Sequence, residues 1–250
     1  MPKSTVCSDM IVVTGAAGFI ASYLAEALNA AGHQDLILVD DFSVEAKKPN
    51  WTHLHFEQCI DREAFLPWFE ENAFKISFVF HLGARTDTTE KSQEALDHLN
   101  LHYSQAIWRI CSAQRIPLVY ASSAATYGLG EFGYKDEHSL STQLQPLNLY
   151  GKSKNDFDIW ALGQNKHRQI GTDSSSLMFT AQKNTTKGAW QVSCCTLTNK
   201  FKKKGKCNSF DRITQTIKMA SNCAILSMSK TWPKFVSSYK THSLQAASTI

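Results

Sequence analysis

The stretch Met10-Ile11-Val12-Val13-Thr14-Gly15-Ala16-Ala17-Gly18-Phe19-Ile20-Ala21 decides how the chain begins to fold. Met10 to Thr14 is a β-branched run of strand length. From Ser22 to Ala31 the pattern turns helical, with Leu24, Leu28 and Ala31 on one face and Gly32 as its C-terminal stop. Between strand and helix, Gly15 and Gly18 remove the Cβ atoms that would block a sharp turn. They let the main chain approach a pyrophosphate, where the helix N-terminus adds N–H donors and positive dipole. Ala21 is small enough to keep helix and strand in contact.

Outward from this turn the chain alternates. Leu36 to Val39 is a second buried strand, and it ends in Asp40-Asp41. An acid there accepts hydrogen bonds from the adenosine ribose hydroxyls, which favours NAD, and the order strand, GxxGxxA, helix, strand, acid is specific where the glycines alone are not. Lys47 and Lys48 follow, either as partners for a 2′-phosphate or as solvated loop charges. Further strands are expected at Leu54 to Phe56, Ser77 to Phe80 and Leu118 to Ala121, with helices over Arg62 to Asn72 and around Glu94 to Gln114. Apolar strands alternating with helices give a parallel sheet covered on both faces: an α/β, Rossmann-like, doubly wound domain.

Two later motifs carry chemistry. Tyr150-Gly151-Lys152-Ser153-Lys154 places Tyr150 and Lys154 four residues apart, on one face of a helix. A phenol ionises near pH ~10 and is a poor base; a neighbouring ammonium and a positive nicotinamide ring favour its phenolate. Lys154 also suits the nicotinamide ribose. Strand Leu118 to Ala121 runs into Ser122-Ser123, which puts the Ser123 hydroxyl at the carboxyl end of the sheet, where ligands of such sheets bind.

Composition bounds the rest. The 250 residues are 43% hydrophobic, enough for one large domain or one plus a smaller lobe. Neither a secretory leader nor a bilayer-spanning run is evident, so a cytoplasmic protein is expected. Cys7, Cys59 and Cys111 are scattered, and Cys194, Cys195, Cys207 and Cys223 lack metal or redox spacing, so free thiols and no metal are expected. The net charge of +4 hides a division. After residue 164 there are 14 Lys+Arg against 2 Asp+Glu, and before it 12 against 20.

GAAGFIAS, VFHLGARTDTTE, VYASSAATYG and PLNLYGKSK, in that order, resemble the ADP-L-glycero-D-manno-heptose 6-epimerases, extended short-chain dehydrogenases that bind NADP or NAD. The likeness spans Met10 to Gln164. Related dehydratases carry an acid pair after the threonine of the serine strand; none follows Thr126 here, which favours an epimerase. The resemblance implies that Phe19, Ile20, Asp40, Asp41, Lys47, Leu82, Gly83, Ala84, Arg85, Thr86, Asn100 and Lys154 contact the cofactor beside Gly15 and Gly18. Otherwise Phe19 and Ile20 are only core, and Asn100 only helix surface. It also implies Ser123, Tyr150 and Lys154 as catalytic residues, an ADP-heptose substrate oxidised and re-reduced at C6, and a homo-oligomer.

The remainder does not follow the pattern. From Asn165 glutamate disappears, Ser, Thr and Lys dominate, and Lys202-Lys203-Lys204 interrupts a poor apolar periodicity. Shifting the reading frame so that each codon takes the last base of one triplet and two of the next restores family text. Met178-Phe179 then forces valine, Trp190-Gln191 alanine, and Cys194-Cys195 leucine. With synonymous choices the segments NVYGP, HKGRMASVV and RDFVYVKDV emerge in family order. The domain reading is therefore a cofactor domain over residues 1–164 and an out-of-frame, poorly packed or disordered segment over 165–250, the substrate lobe being corrupted or absent. The chain as it stands is then expected to be inactive. Two rival readings stand beside this one: another nucleotide-sugar epimerase or reductase, and a non-enzymatic Rossmann module whose basic tail binds nucleic acid.

Overall fold

The computed structural model describes residues 10–134, 137–167, 176–183 and 190–197, with side chains to residue 164. Its strands are β1 (Met10–Thr14), β2 (Leu36–Asp40), β3 (Gln58–Asp61), β4 (Ile76–His81), β5 (Leu118–Ala121), β6 (Ser176–Lys183) and β7 (Trp190–Leu197). The helices are α1 (Phe19–Ala30), α2 (Lys48–Trp51), α3 (Arg62–Asn72), α4 (Gln93–Leu96), α5 (Tyr103–Gln114) and α6 (Leu149–His167), and a π-helical turn, Asp97–His102, joins α4 to α5. The sheet runs β3-β2-β1-β4-β5-β6-β7; β7 is antiparallel to β6 and all other pairs are parallel.

Period-two alternation splits the core between two faces. Val12, Val39, Val79 and Tyr120 point to one face and meet Phe65 and Phe69 of α3, Trp108 of α5 and Phe157 of α6. Ile11, Val13, Leu38, Phe80 and Val119 point to the other and meet Ala25 and Leu28 of α1. The winding reverses between β1 and β4, so the loops after these two strands open a crevice at the carboxyl edge. Beyond α1, the Gly32 N–H reaches Asn29 O and the His33 N–H reaches Leu28 O. That closes the helix at the expected glycine (φ +94°).

One expected strand is corrected. Leu54 to Phe56 is not a strand; Leu54 and Phe56 pack with Trp51 and Phe42 beneath β2, and pairing with β2 begins only where Glu57 N–H meets Leu36 O. The edge strand is β3, whose single buried residue, Ile60, left little apolar pattern to read. The segment after residue 164, for which no element was expected, supplies the end of α6 and two strands, β6 docking in parallel register on β5.

Candidate functional site

The glycine turn is held from below. The Gly15 and Ala16 N–H groups donate to Val39 O, and the Ala17 N–H donates to Asp40 Oδ2 at 2.9 Å, tying the turn to the acid that ends β2. Gly15 sits at φ +73°, and a Cβ there would lie 2.8 Å from the Gly83 backbone. A Cβ on Gly18 would stand 3.0 Å from Gly15 O. No side chain caps α1, so its first N–H groups face the crevice unshielded. Gly15→Ala should therefore lose about 1–2 kcal/mol to the left-handed backbone, and more to the clash with Gly83. Thermal melting with and without NADH should show a lower midpoint and no cofactor-induced rise. A normal rise would show that Gly15 is not at the phosphate site.

The crevice encloses about 440 Å³. Of the residues expected at a cofactor, Gly15, Gly18, Phe19, Ile20, Asp40, Lys47 and Leu82 to Thr86 line it. Phe19 and Ile20 are each 53% exposed and so are not core residues; they form its open wall. At the ribose end Asp40 Oδ1 accepts from the Asp41 N–H at 2.7 Å and from Lys47 Nζ at 3.1 Å. Lys48 pairs instead with Glu45 at the surface. Arg62, the first residue of α3, also lines the crevice, 3.6 Å from Asp41. Sequence reading placed Arg62 in a helix and missed it, because it placed the preceding strand too early. Asp41 is not among the residues lining the crevice; Ser43 binds one of its oxygens and lowers its pKa, and Arg62 adds to this.

Asn100 lies on the π-helical turn, fully buried. Its Oδ1 accepts from Arg85 N–H, and its Nδ2 donates to Arg85 O and to Ser153 Oγ. It is therefore neither helix surface nor crevice wall; it clamps the loop after β4 to α6. Beside it runs a second buried chain. Gly83 N–H donates to Thr14 Oγ1, which lies 2.7 Å from His81 Nδ1; His81 Nε2 lies 2.8 Å from Ser104 Oγ, which donates to Asn100 O. Since Ser104 has spent its one proton, His81 Nε2 must donate, and Nδ1 must accept from Thr14. Burial, and then the charge of Lys154, push the His81 pKa down to about 3, so the ring stays neutral.

Ser123 lies two residues beyond the end of β5 and caps the turn Ala124–Tyr127 through Ala125 N–H. α6 comes close to this turn because residue 151 is glycine; a Cβ there would meet Ala125 O at 2.6 Å. The Tyr150 hydroxyl thereby reaches the Ser123 hydroxyl, and one turn on lies Lys154, only 3% exposed. Tyr150 and Ser123 thus meet beyond the carboxyl end of β5, whose last residue, Ala121, lines the crevice; Lys154 follows one turn on, and none of the three is itself among the residues lining the crevice. The ionisation expected of Tyr150 is reversed here. Burial raises its pKa, Ser123 lowers it, and the charge of Asp158 raises it again.

Such a set can move a proton at a hydroxyl-bearing carbon beside a bound dinucleotide. A family model of the NAD dependent epimerase/dehydratase family matches residues 11–180. The chain belongs to this family. It is 42% identical over 159 residues to the ADP-L-glycero-D-manno-heptose-6-epimerase of Fusobacterium nucleatum, covering 62% of this chain and 48% of that protein. The same enzyme of Brachyspira hyodysenteriae is 39% identical over 174 residues, covering 68% and 54%. Among solved structures, the Helicobacter pylori ADP-L-glycero-D-manno-heptose-6-epimerase superposes with a TM-score of 0.53 at 26% identity, covering 65% of this chain and 53% of that one. A UDP-glucose 4-epimerase from Thermotoga maritima (TM-score 0.52, 21% identical, covering 67% and 53%) shares the fold. The chain spans about half the length of the curated relatives it matches. Among the described residues no helix is long and apolar enough to cross a membrane, and no group of His, Cys, Asp and Glu could hold a metal.

Proposed function

We propose that this chain carries the cofactor-binding and proton-transferring half of an ADP-L-glycero-D-manno-heptose 6-epimerase, acting on C6 of a nucleotide-bound heptose. The observation that carries this reading is the meeting of the Tyr150 and Ser123 hydroxyls, with Lys154 buried one helical turn on, close to a crevice floored by Gly15 and Gly83. The glycine cradle, the uncapped N-terminus of α1 and the Asp40 end of β2 fit a nicotinamide dinucleotide. Bound there, it supplies the reversible oxidation at C6, and its positive ring favours the Tyr150 phenolate. Tyr150 takes the C6 hydroxyl proton and later returns it; Ser123 orients both oxygens; Lys154 holds the nicotinamide ribose and stabilises the phenolate. The grip on the sugar nucleotide belongs to the text that is out of frame after Gln164, so the chain as it stands performs at most the cofactor-binding part. A nucleic-acid-binding tail is disfavoured, since the frame accounts for the basic composition.

Between NADP and NAD, the ribose end favours NADP. Both Asp40 oxygens are already engaged, by Ala17, Asp41 and Lys47, while the cations Lys47 and Arg62 line the crevice. A 2′-phosphate between them gains charge-assisted hydrogen bonds of about 1.5–3 kcal/mol each. Fluorescence titration should show NADPH binding more tightly than NADH. Arg62→Ala should weaken NADPH about tenfold or more, as the loss of one such bond requires, and leave NADH nearly unchanged. Equal weakening of both would defeat the 2′-phosphate assignment, and failure to bind either would defeat the cofactor reading itself.

A further inference from the structure

Beneath the candidate catalytic set lies a carboxylate with no role so far. Asp158 is one helical turn beyond Lys154 on α6, and the two are 4% and 3% exposed. Ser122, the residue before Ser123, donates its hydroxyl proton to Asp158 Oδ2. A fully desolvated ammonium tends to give up its proton, the more so in a site that isolates it from any anion. Facing this pair are Tyr120 and Ser122 at the end of β5, Tyr150 one turn earlier on α6, and the neutral His81 of β4. Asp158 is the anion within this set. It is not in direct ion-pair contact with Lys154 among the ion pairs of the described residues, so it acts across the helix face.

We propose that Asp158 is a positioning residue: clamped by Ser122, it keeps Lys154 an ammonium inside a buried site and so keeps the nicotinamide ribose contact charged. This rests on the cofactor reading above. Burial lowers the Lys154 pKa and Asp158 raises it. Asp158 itself is raised by burial to about 6, with the Ser122 hydrogen bond, the Lys154 charge and Tyr120 opposing the rise. Near neutral pH the carboxyl is mostly ionised, and the pair carries opposite charges. The same anion raises the Tyr150 pKa, so securing Lys154 is set against ionising the phenol.

One limb follows for cofactor affinity against pH. Affinity should fall at high pH as Lys154 loses its proton; at low pH the ammonium stays protonated whether or not Asp158 is ionised. The test is fluorescence titration of the full chain with NADPH between pH 5 and 10, for the unmodified protein, Asp158→Asn and Asp158→Glu. Asp158→Asn should move the limb to lower pH and so weaken binding on it about tenfold, with affinity near pH 5 little changed. Asp158→Glu keeps the charge and should leave the limb in place. A uniform loss of affinity at every pH, or a limb that does not move in Asp158→Asn, would overturn the proposal. If Asp158→Asn does not fold, Asp158→Glu decides alone, and a limb moved down despite the retained charge would overturn it. An unmodified chain that binds no dinucleotide removes the cofactor reading, and this inference with it, and is distinguishable from binding whose limb stays fixed.

Discussion

The chain as it stands should turn over no ADP-heptose, while a gene with one nucleotide restored near codons 164 to 166 should yield an active epimerase. Turnover of the restored protein should fall in the ordinary enzymatic range, roughly 1–10³ s⁻¹. The reason is a division of labour. The residues proposed to cradle a dinucleotide, and those that meet at Tyr150, all precede Gln164. In the proposed reading, gripping the nucleotide and letting a ketone present its other face belong to a second lobe whose text emerges only in the shifted frame. A sequence read out of frame rarely agrees with itself in propensity, pattern and turn chemistry, so it rarely specifies one packing. The excess of 14 basic over 2 acidic residues after position 164 adds self-repulsion. Both proteins would be assayed by separating the two C6 epimers of the ADP-heptose. Comparable rates would show that the second half works as written.

In the frame-restored protein, Tyr150→Phe should lower kcat by about 10²–10⁴-fold, the usual contribution of a positioned proton acceptor. Cofactor affinity should change little, because only the hydroxyl is removed and the ring is retained. A kcat within tenfold of the unmodified enzyme would remove Tyr150 from the chemistry. Because burial and Asp158 hold the phenol above its ordinary range, and Ser123 alone among the neighbouring groups lowers it, kcat should rise with pH until the phenol ionises. In Tyr150→Phe that rise should vanish.

Much of the cofactor half was legible because its signals are local. β1, β5 and α3 fall where the apolar runs and the turn residues place them, and the Gly15 turn does meet Asp40. What escaped depends on partners far apart in the chain. β3 is an edge strand that buries one side chain, so no alternation announced it, and Arg62 was lost with it. Asn100 could be placed on a helix, but not its burial, which arises from a π-helical turn and from Arg85 and Ser153. Asp158 sat in plain view four residues after Lys154, a spacing that could have been noticed. Only the packing of α6 on β5 shows that it is buried with Ser122. The strands β6 and β7 had no usable signal, because their residues were expected to carry no structure.

The hydrogen-bonded chain from Gly83 to Asn100 has one further property. Every link points the same way: Gly83 N–H to Thr14, Thr14 to His81, His81 to Ser104, and Ser104 to the Asn100 carbonyl. Its two ends are amide groups, which neither release nor take up protons at any pH a protein meets. Reversing one rotor would set two hydrogens against each other elsewhere in the row. The row therefore transmits position rigidly between the glycine floor and the segment that carries Asn100, while it insulates against proton flow. A proton leaving Tyr150 is not carried away along this row.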